Sequence, residues 1–200
     1  MKKLTLPFIG AGAAALAFSI AVGAAGPATV AAAGPQARGG TGTCATCTAT
    51  VVAATPLTAV QAADLAAMAE EEKVARDLYR AFAARYPSPV WDTIAAAENT
   101  HLTAIRTLLT RYGVADPTAG RADGSFASSS AKAMYDGLLA TGSANEVAAF
   151  GVGRTVELDD IAKLDAAIAR ATQTDVRQVY TNLRSGSVQH LRAFDRELAR

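Results

Sequence analysis

The amino-acid sequence predicts an all-α protein in which four long helices form a bundle, with one long crossover between the second and the third. Half of the 200 residues are apolar and only 6% are aromatic, which suits a helical domain with a sizeable core. Apolar residues recur at spacings of three and four along four separate stretches, which is the helical period. The connection over residues 113–142 is rich in Gly, Asp and Ser and is long enough to cross such a bundle.

The first 33 residues are predicted to be a secretory signal peptide. Lys2 and Lys3 form a positively charged start, residues 4–25 are apolar, and three small residues at 31–33 resemble a cleavage signature. An uncleaved membrane anchor is the alternative, because the apolar stretch is about long enough to span a bilayer. Its high Gly and Ala content makes it weakly hydrophobic and favours cleavage after Ala33. We therefore expect a secreted or otherwise extracytoplasmic protein of the bacterial cell envelope.

A flexible linker is predicted over residues 34–56, which are rich in Gly, Thr, Ala and Pro and show no helical period. It contains the only two cysteines, Cys44 and Cys47. A four-thiolate metal site needs a second cysteine pair, which the sequence lacks. In an oxidising compartment the two cysteines are candidates for a local disulfide or for pairing between chains. A reducible disulfide that delivers electrons to the main domain, predicted over residues 57–200, is the alternative.

The charge balance argues against two classes of partner. The formal net charge is +1, and it becomes −1 once Lys2 and Lys3 are removed with the signal peptide. Neither value favours nucleic acid or an anionic membrane surface as a partner. Association with a membrane is expected only if the N-terminal segment remains uncleaved.

The first long helix is predicted over residues 57–86, with Thr58 as its N-cap. Apolar residues follow one face of this helix at Leu65, Met68, Ala75, Tyr79, Phe82 and Tyr86. The missing member of this series is Glu72, which therefore faces the core. The neighbouring Glu70 and Glu71 are expected on the solvated flank.

The second long helix, predicted over residues 89–112, carries two ionisable residues on its core face. Its apolar positions are Trp91, Ile94, Ile105, Leu108 and Tyr112. Glu98 and His101 complete this series in steps of three and four, so both point inward. A carboxylate is almost never left unpaired in a core, because removing it from water is costly. Another part of the protein must therefore compensate Glu98.

Two more long helices are predicted after the crossover, which itself has room for a short helix over residues 129–140. The third long helix begins with a capping box from Ser143 to Glu146 and runs to residue 170. The fourth is capped by Thr172 or Thr174 and runs to the C-terminus. Their apolar faces are marked by Val147, Phe150, Ile161, Leu164 and Ile168, and by Val176, Val179, Leu183, Phe194 and Leu198.

These two helices also carry ionisable residues on their apolar faces. Glu157 falls on the face of the third helix with Asp160 one turn on, and His190 falls on the face of the fourth with Ser187 one turn before. Counting residues from the turns places the inward groups of all four helices at about the same level. The sequence therefore predicts one polar layer near the middle of the bundle.

The predicted layer contains four carboxylates and the only two histidines of the chain: Glu72, Glu98, His101, Glu157, Asp160 and His190. Carboxylates and imidazoles that converge from four helices are the ligands of a non-haem di-iron or di-manganese site. The alternative is a buried polar network without metal. Because both histidines fall at the level of the inward carboxylates, the pattern favours metal binding.

The pattern resembles the ferritin-like superfamily, whose four-helix bundles carry Glu, Glu-x-x-His, Glu and a second Glu-x-x-His on successive helices. Rubrerythrin is similar in its first helix, around Glu72, and in the paired carboxylates Glu157 and Asp160. The segments EEEKVARDLY and SGSVQHLRAF are more similar still to an exported bacterial ferritin-like family of unknown function. The resemblance covers about residues 57–198 and implies a ferritin-like up-down bundle. One departure is Ser187, which stands where the superfamily has the Glu of its second Glu-x-x-His.

The resemblance also implies roles and an activity. It makes Glu98 and Glu157 the bridging ligands, His101 and His190 the terminal imidazoles, and Glu72 and Asp160 the terminal carboxylates. Two iron ions are the implied cofactor, with manganese or zinc as alternatives, and dioxygen or peroxide as the oxidant. The implied activity is iron oxidation or peroxide reduction by a monomer or homodimer. A metal-sequestering protein, or a partner-binding bundle without turnover, is the alternative.

Overall fold

The computed structural model describes residues 56–200, and this part of the chain is all-α. Its helices are α1 (Ala59–Ala83), α2 (Val90–Tyr112), α3 (Ser129–Gly142), α4 (Glu146–Arg170) and α5 (Thr174–Leu198). The all-α prediction is confirmed, but residues 56–200 contain five helices, because the long connection between α2 and α4 holds a helix of its own. That helix, α3, begins where the short helix was predicted and ends two residues later.

The predictions for the N-terminal part fall outside the described residues. These are the signal peptide over residues 1–33, nearly all of the linker over residues 34–56, and the cysteine pair Cys44 and Cys47. Within residues 56–200, none of the helices is long and apolar enough to span a membrane.

The start of α1 follows the prediction. The Thr58 hydroxyl accepts a hydrogen bond from the backbone N–H of Gln61 at 3.2 Å, and Gln61 Oε1 accepts one from the Thr58 N–H at 2.9 Å. This reciprocal capping box satisfies two donors that a helix start leaves unpaired. The helix ends at Ala83, three residues before the predicted end, ahead of the turn that contains Pro87 and Pro89.

The capping residues predicted for the last two long helices were wrong. Asn145, not Ser143, caps α4, and its side chain accepts from the Ala148 N–H at 2.8 Å. Glu146 does not complete a capping box. Its Oε1 instead accepts a hydrogen bond from the backbone N–H of Ser88, at 3.1 Å, in the turn between α1 and α2.

At α5 the capping position is Gln173, whose side chain makes no capping hydrogen bond. Thr172 precedes the cap position, and its hydroxyl accepts a hydrogen bond from Gln61 Nε2 at 2.9 Å. Thr174 is the first helical residue. The Thr172 side chain, which the sequence pattern assigned to the cap, therefore contacts α1 instead.

The long helices pack in neighbouring pairs. The α1 and α2 helices form one closely packed pair and α4 and α5 form the other, while α1 also contacts α4 and α2 also contacts α5. The short α3 packs across α1 and α4. The crossover therefore covers one side of the interface between α1 and α4.

The core has two separate apolar clusters. The first contains Leu65, Leu102, Leu164 and Leu183, and the second is rich in aromatic residues, with Trp91 stacked on Phe150 at a centroid distance of 4.8 Å. Most residues of the predicted apolar faces are buried or partly buried in these clusters. Three are not: Ile161 is partly buried outside both clusters, Leu198, the last residue of α5, is exposed, and Val147 is 66% exposed. Glu146, rather than Val147, continues the inward face, with its Oε1 3.3 Å from Trp91 Nε1.

Candidate metal centre

A layer of ionisable residues separates the two apolar clusters. Glu72, Glu98, Glu157 and His190 each follow a residue of one cluster in the sequence and precede a residue of the other, on α1, α2, α4 and α5. All four are at most 8% exposed. We call these four residues, together with His101 and Asp160, the carboxylate–histidine layer. It lies where counting along the predicted hairpins placed it.

Glu98 lies at the centre of the layer, between the two histidines. Its Oε2 is 2.8 Å from His101 Nδ1, and its Oε1 is 2.7 Å from His190 Nδ1. The two imidazole rings are 5.5 Å apart between centroids. Each carboxylate oxygen of Glu98 therefore faces one imidazole, so a single carboxylate links both halves of the layer.

A second carboxylate approaches each imidazole. Glu72 Oε2 lies 3.4 Å from His101 Nδ1, and Glu157 Oε2 lies 3.6 Å from His190 Nδ1. The result is two groups of candidate ligands, Glu72 with Glu98 and His101, and Glu98 with Glu157 and His190, each with its ligand atoms within 4.8 Å of one another. Because Glu98 belongs to both groups, the arrangement suits two cations that share one carboxylate.

Asp160 takes a different position from the other five residues. It belongs to neither ligand group, and its Oδ2 accepts a hydrogen bond from the Ser187 hydroxyl at 2.7 Å. Ser187 is buried, and its hydroxyl also lies 3.1 Å from the carbonyl oxygen of Leu183. The serine that replaces the expected Glu thus orients the carboxylate that α4 supplies.

Glu72 has no hydrogen-bond partner on either carboxylate oxygen among residues 56–200, although only 2% of it is exposed. His190 Nδ1 is close to Glu98 but is not aligned for a hydrogen bond, so it also lacks such a partner in this part of the chain. A buried carboxylate without a donor loses its hydration without replacement, so it takes up a proton or a cation instead. A cation between these atoms would supply the missing compensation, so the residues fit a metal.

Glu98 is the one carboxyl group of the layer whose pKa is lowered. Burial raises the pKa of its carboxyl, but the neighbouring His190 and His101 outweigh burial and hold the pKa well below its usual range. Burial lowers the pKa of both imidazoles, but the Glu98 carboxylate outweighs it, raising the pKa of His101 and bringing that of His190 to about 10. The Glu98 carboxylate and the two imidazoles therefore favour each other's charged forms.

The other carboxyl groups of the layer shift in the opposite direction. Burial, together with the Glu98 charge, raises the pKa of Glu157 to about 7 and that of Glu72 well above its usual value. Burial and the Glu72 charge likewise raise the pKa of Asp160. Burial and nearby negative charge thus favour the protonated form of these carboxyl groups, and a bound cation would favour the ionised form.

Tyr79 contacts the layer directly. Its hydroxyl donates a hydrogen bond to Glu157 Oε1 at 2.7 Å, and burial with the Glu157 charge raises its pKa well above 10. Tyr180, on α5, packs instead in the first apolar cluster.

Gly186 is a contributor to the site that the sequence did not reveal. A Cβ atom at this position of α5 would lie 2.5 Å from His101 Nε2 and 2.6 Å from its Cε1. Only a residue without a side chain lets the ring of His101 lie against α5 with Nδ1 turned toward the carboxylates. The signal was a glycine in the interior of a predicted helix, which is unfavourable without a packing reason.

We expect Gly186→Ala to reduce metal affinity about 10- to 100-fold, because the added methyl group displaces His101 from the position that its neighbours fix. Equilibrium metal titration measures the effect. Gly151→Ala is the matched control, since a Cβ there meets no atom within 4 Å. Equal affinities in the two variants would show that the close approach of Gly186 does not position the imidazole.

The face of α1 behind Glu72 was predicted to be solvated, and this was wrong. Glu70 is buried and accepts hydrogen bonds from the backbone N–H groups of Ala127 and Ser128, at the start of α3. Glu71 is partly buried and pairs with Lys163 at 2.7 Å. Helical periodicity could not show this, because the crossover that contacts Glu70 and the Lys163 that pairs with Glu71 are both distant in the sequence.

The same face holds a buried ion pair between Lys73 and Asp77, both with fully buried side chains. Lys73 Nζ donates to the carbonyl oxygen of Ala122 at 2.8 Å, and Asp77 Oδ2 accepts from the Gly124 N–H at 2.9 Å. The segment EEEKVARDLY therefore has two functions along one helix. Glu72 faces the layer, and its charged neighbours hold the crossover in place.

The comparisons with known proteins agree with the fold. Residues 61–200 match a family described as an uncharacterized protein domain, DUF2202. The sequence is 36% identical over 143 residues to uncharacterized protein MJ0754 of Methanocaldococcus jannaschii, covering 72% of this chain and 77% of that protein. A crystal structure titled hypothetical protein MJ0754 from Methanococcus jannaschii superimposes with a TM-score of 0.71, covering 72% of this chain and 83% of the other.

Proposed function

The chain belongs to the DUF2202 family, and from its buried ligand set we propose that it is a ferritin-like metal-binding protein with a dinuclear centre. The proposed ligands are Glu72, Glu98, His101, Glu157, Asp160 and His190. The proposed cofactor is two iron ions, with manganese or zinc as alternatives. The proposed use of the centre is iron oxidation or peroxide reduction. Export through the predicted signal peptide would place this activity outside the cytoplasm.

The observation that carries the proposal is the shared position of Glu98, combined with the unpartnered Glu72. Each oxygen of Glu98 faces a different imidazole, and both oxygens of Glu72 lack a hydrogen-bond donor in residues 56–200. A polar network that served only to fix helix register would satisfy its own members, since a half-satisfied network is costly. Two cations on either side of Glu98 account for both features.

The packing of the long helices supports a ferritin-like arrangement. Contacts run from α2 to α1, from α1 to α4, from α4 to α5 and back to α2, and α3 lies outside this ring on α1 and α4. Each of the four helices in the ring contributes to the carboxylate–histidine layer. In bundles of this kind, metal sites are built from inward side chains of facing helices.

The donor set supports iron or manganese over softer metals. Carboxylates outnumber imidazoles in the layer, and described residues contribute no thiolate to either group. Oxygen-rich sites with imidazoles suit iron and manganese, whereas soft thiolates select other metals. A bound pair of redox-active ions would supply the electrons for reaction with dioxygen or peroxide.

The surrounding residues of the chain have distinct roles in this proposal. Tyr79 holds Glu157 by a hydrogen bond from its hydroxyl group. Ser187 holds Asp160 at the side of the layer by a hydrogen bond. Glu72, Glu98, Glu157 and His190 are at most 8% exposed, so they would shield bound ions from much of the bulk water.

The test of the proposal is anaerobic titration of the purified protein with Fe(II), followed by addition of dioxygen or hydrogen peroxide. We expect two ions per chain and rapid oxidation that consumes the oxidant. Tight binding of two ions without oxidation would support a sequestering protein instead. No binding would contradict the proposal and favour a purely structural layer.

Metal affinity should rise with pH between about 6 and 8. Metal ligands must be deprotonated carboxylates and neutral imidazoles. In the metal-free protein the pKa of Glu157 is raised to about 7, those of Glu72 and Asp160 are also raised, and that of His190 is about 10. For each proton that metal binding releases, the affinity increases about tenfold per pH unit. Calorimetric titration with Zn²⁺ in two buffers of different ionisation enthalpy measures the protons released. Binding that releases none would contradict the assignment of these ligands.

A further inference from the structure

A cavity of about 220 Å³ lies directly beside the carboxylate–histidine layer, between α1, α3 and α4. Its floor is formed by the carboxylates of the layer. Its walls are largely apolar and include Val74 on α1, Met134 and Leu138 on α3, and Val156 on α4. The cavity therefore joins a strongly polar end to an apolar body.

The rim of the cavity carries charges that are already paired. Lys163 Nζ lies 2.7 Å from Glu71 Oε1 and 2.8 Å from Asp159 Oδ2. Lys163 therefore offers no unpaired positive charge to an anion. The apolar walls offer no ligands for a hydrated metal ion. The chemistry of rim and walls thus favours an uncharged molecule.

The α3 wall is held firmly in place. Met134 and Leu138 are one turn apart on α3, and the start of this helix is fixed by Glu70, which accepts hydrogen bonds from Ala127 and Ser128. The preceding segment is fixed by the buried Lys73 through the carbonyl oxygen of Ala122. The polar face of α1 therefore supports a defined wall for the cavity.

We propose that this cavity binds a small, uncharged organic molecule, with its apolar body against these walls and one polar end at the carboxylates. An apolar cavity of about 150 Å³ holds benzene, so this cavity has room for a molecule of comparable or somewhat larger size. The oxygens of Glu72 lack donors in the described chain, so a hydroxyl group at the polar end would be accepted there. As a substrate site the cavity rests on the proposed function, but binding itself needs no metal.

The probes for the test are the primary alcohols from ethanol to hexanol, added to metal-free protein with methyl-labelled methionine. Met134 lines the cavity, whereas Met68 is fully buried in the first apolar cluster, so one chain carries both a reporter and a control. We expect a saturable shift of the Met134 signal with little change at Met68. Affinity should increase roughly fourfold per methylene until the cavity is full.

Two tryptophan variants on α3 sharpen the test. Leu138→Trp fills the cavity and should weaken alcohol binding at least tenfold, whereas Ala133→Trp adds the same side chain on the exposed face and should leave it unchanged. Leu138→Phe replaces the first variant if that one does not fold. Equal binding by the filled and control variants, or equal shifts at Met68 and Met134, would overturn the proposal.

A parallel metal titration separates this inference from the proposed function. Protein that binds the alcohols but takes up no metal supports the cavity as a binding site and removes the dinuclear centre. Protein that takes up two ions per chain but shows no saturable alcohol binding overturns the cavity proposal alone.

Discussion

Replacing Glu98 with Gln is expected to reduce metal uptake from two ions per chain to none at concentrations that saturate the unaltered protein. The carboxylate faces both imidazoles, at 2.8 Å and 2.7 Å, and belongs to both ligand groups. An amide of the same shape keeps one weak oxygen donor and loses the negative charge. We expect affinity at both positions to fall by about 100-fold or more, since even residues around a ligand shell account for 10- to 100-fold. Elemental analysis after equilibrium dialysis measures the loss.

Glu197→Gln is the matched control for this change. Glu197 lies near the end of α5 and pairs with Arg200 at 2.9 Å, away from the layer. The Glu197→Gln variant should retain two ions per chain. If Glu98→Gln kept one ion at unaltered affinity, Glu98 would not be shared between two sites. Uptake that persisted in the double variant Glu98→Ala, His101→Ala would place the metal elsewhere.

Replacing Asp77 with Ala is expected to lower the free energy of unfolding by about 3–5 kcal/mol. Its partner Lys73 is fully buried, so the substitution leaves an ammonium group without its carboxylate in the interior. It also removes one of the acceptors of Arg76 and the acceptor of the Gly124 N–H. Urea denaturation followed by circular dichroism measures the change.

The chain contains a matched pair for comparison, Lys132 and Asp136, which have the same spacing on α3 but are about half exposed. Asp136→Ala should cost about 0.5 kcal/mol or less, because water screens an exposed pair and replaces it readily. Similar losses in the two variants would mean that burial does not govern the Lys73–Asp77 pair, and that the crossover is held by other contacts.

The carboxylate–histidine layer could be predicted from the sequence because its signal is local. A Glu at position 72 or 98 interrupts an apolar series of steps of three and four, and helical geometry then fixes the face on which it lies. Short turns fix the level at which neighbouring helices meet. These two facts bring Glu72, Glu98, His101, Glu157 and His190 together, as the structure has them.

The features that the sequence did not reveal depend on contacts that are distant along the chain. Glu70 and Glu71 look solvated on an isolated helix, but the crossover contacts Glu70 and Lys163 of α4 contacts Glu71. Gly186 has no side chain to mark its role, which follows from the ring of His101 on another helix. Asn145 caps α4 in place of the predicted Ser143, and Glu146 instead contacts Ser88 across the fold. Local propensity could not weigh these tertiary contacts.

The central claim is that two metal ions lie on either side of Glu98, and anomalous X-ray diffraction tests it most directly. Crystals of the protein loaded with Fe(II) without oxygen would be measured at energies above and below the iron absorption edge. We predict two anomalous peaks per chain, one among Glu72, Glu98 and His101 and the other among Glu98, Glu157 and His190. A layer without peaks in crystals of loaded protein, or a single peak that does not contact Glu98, would contradict the claim.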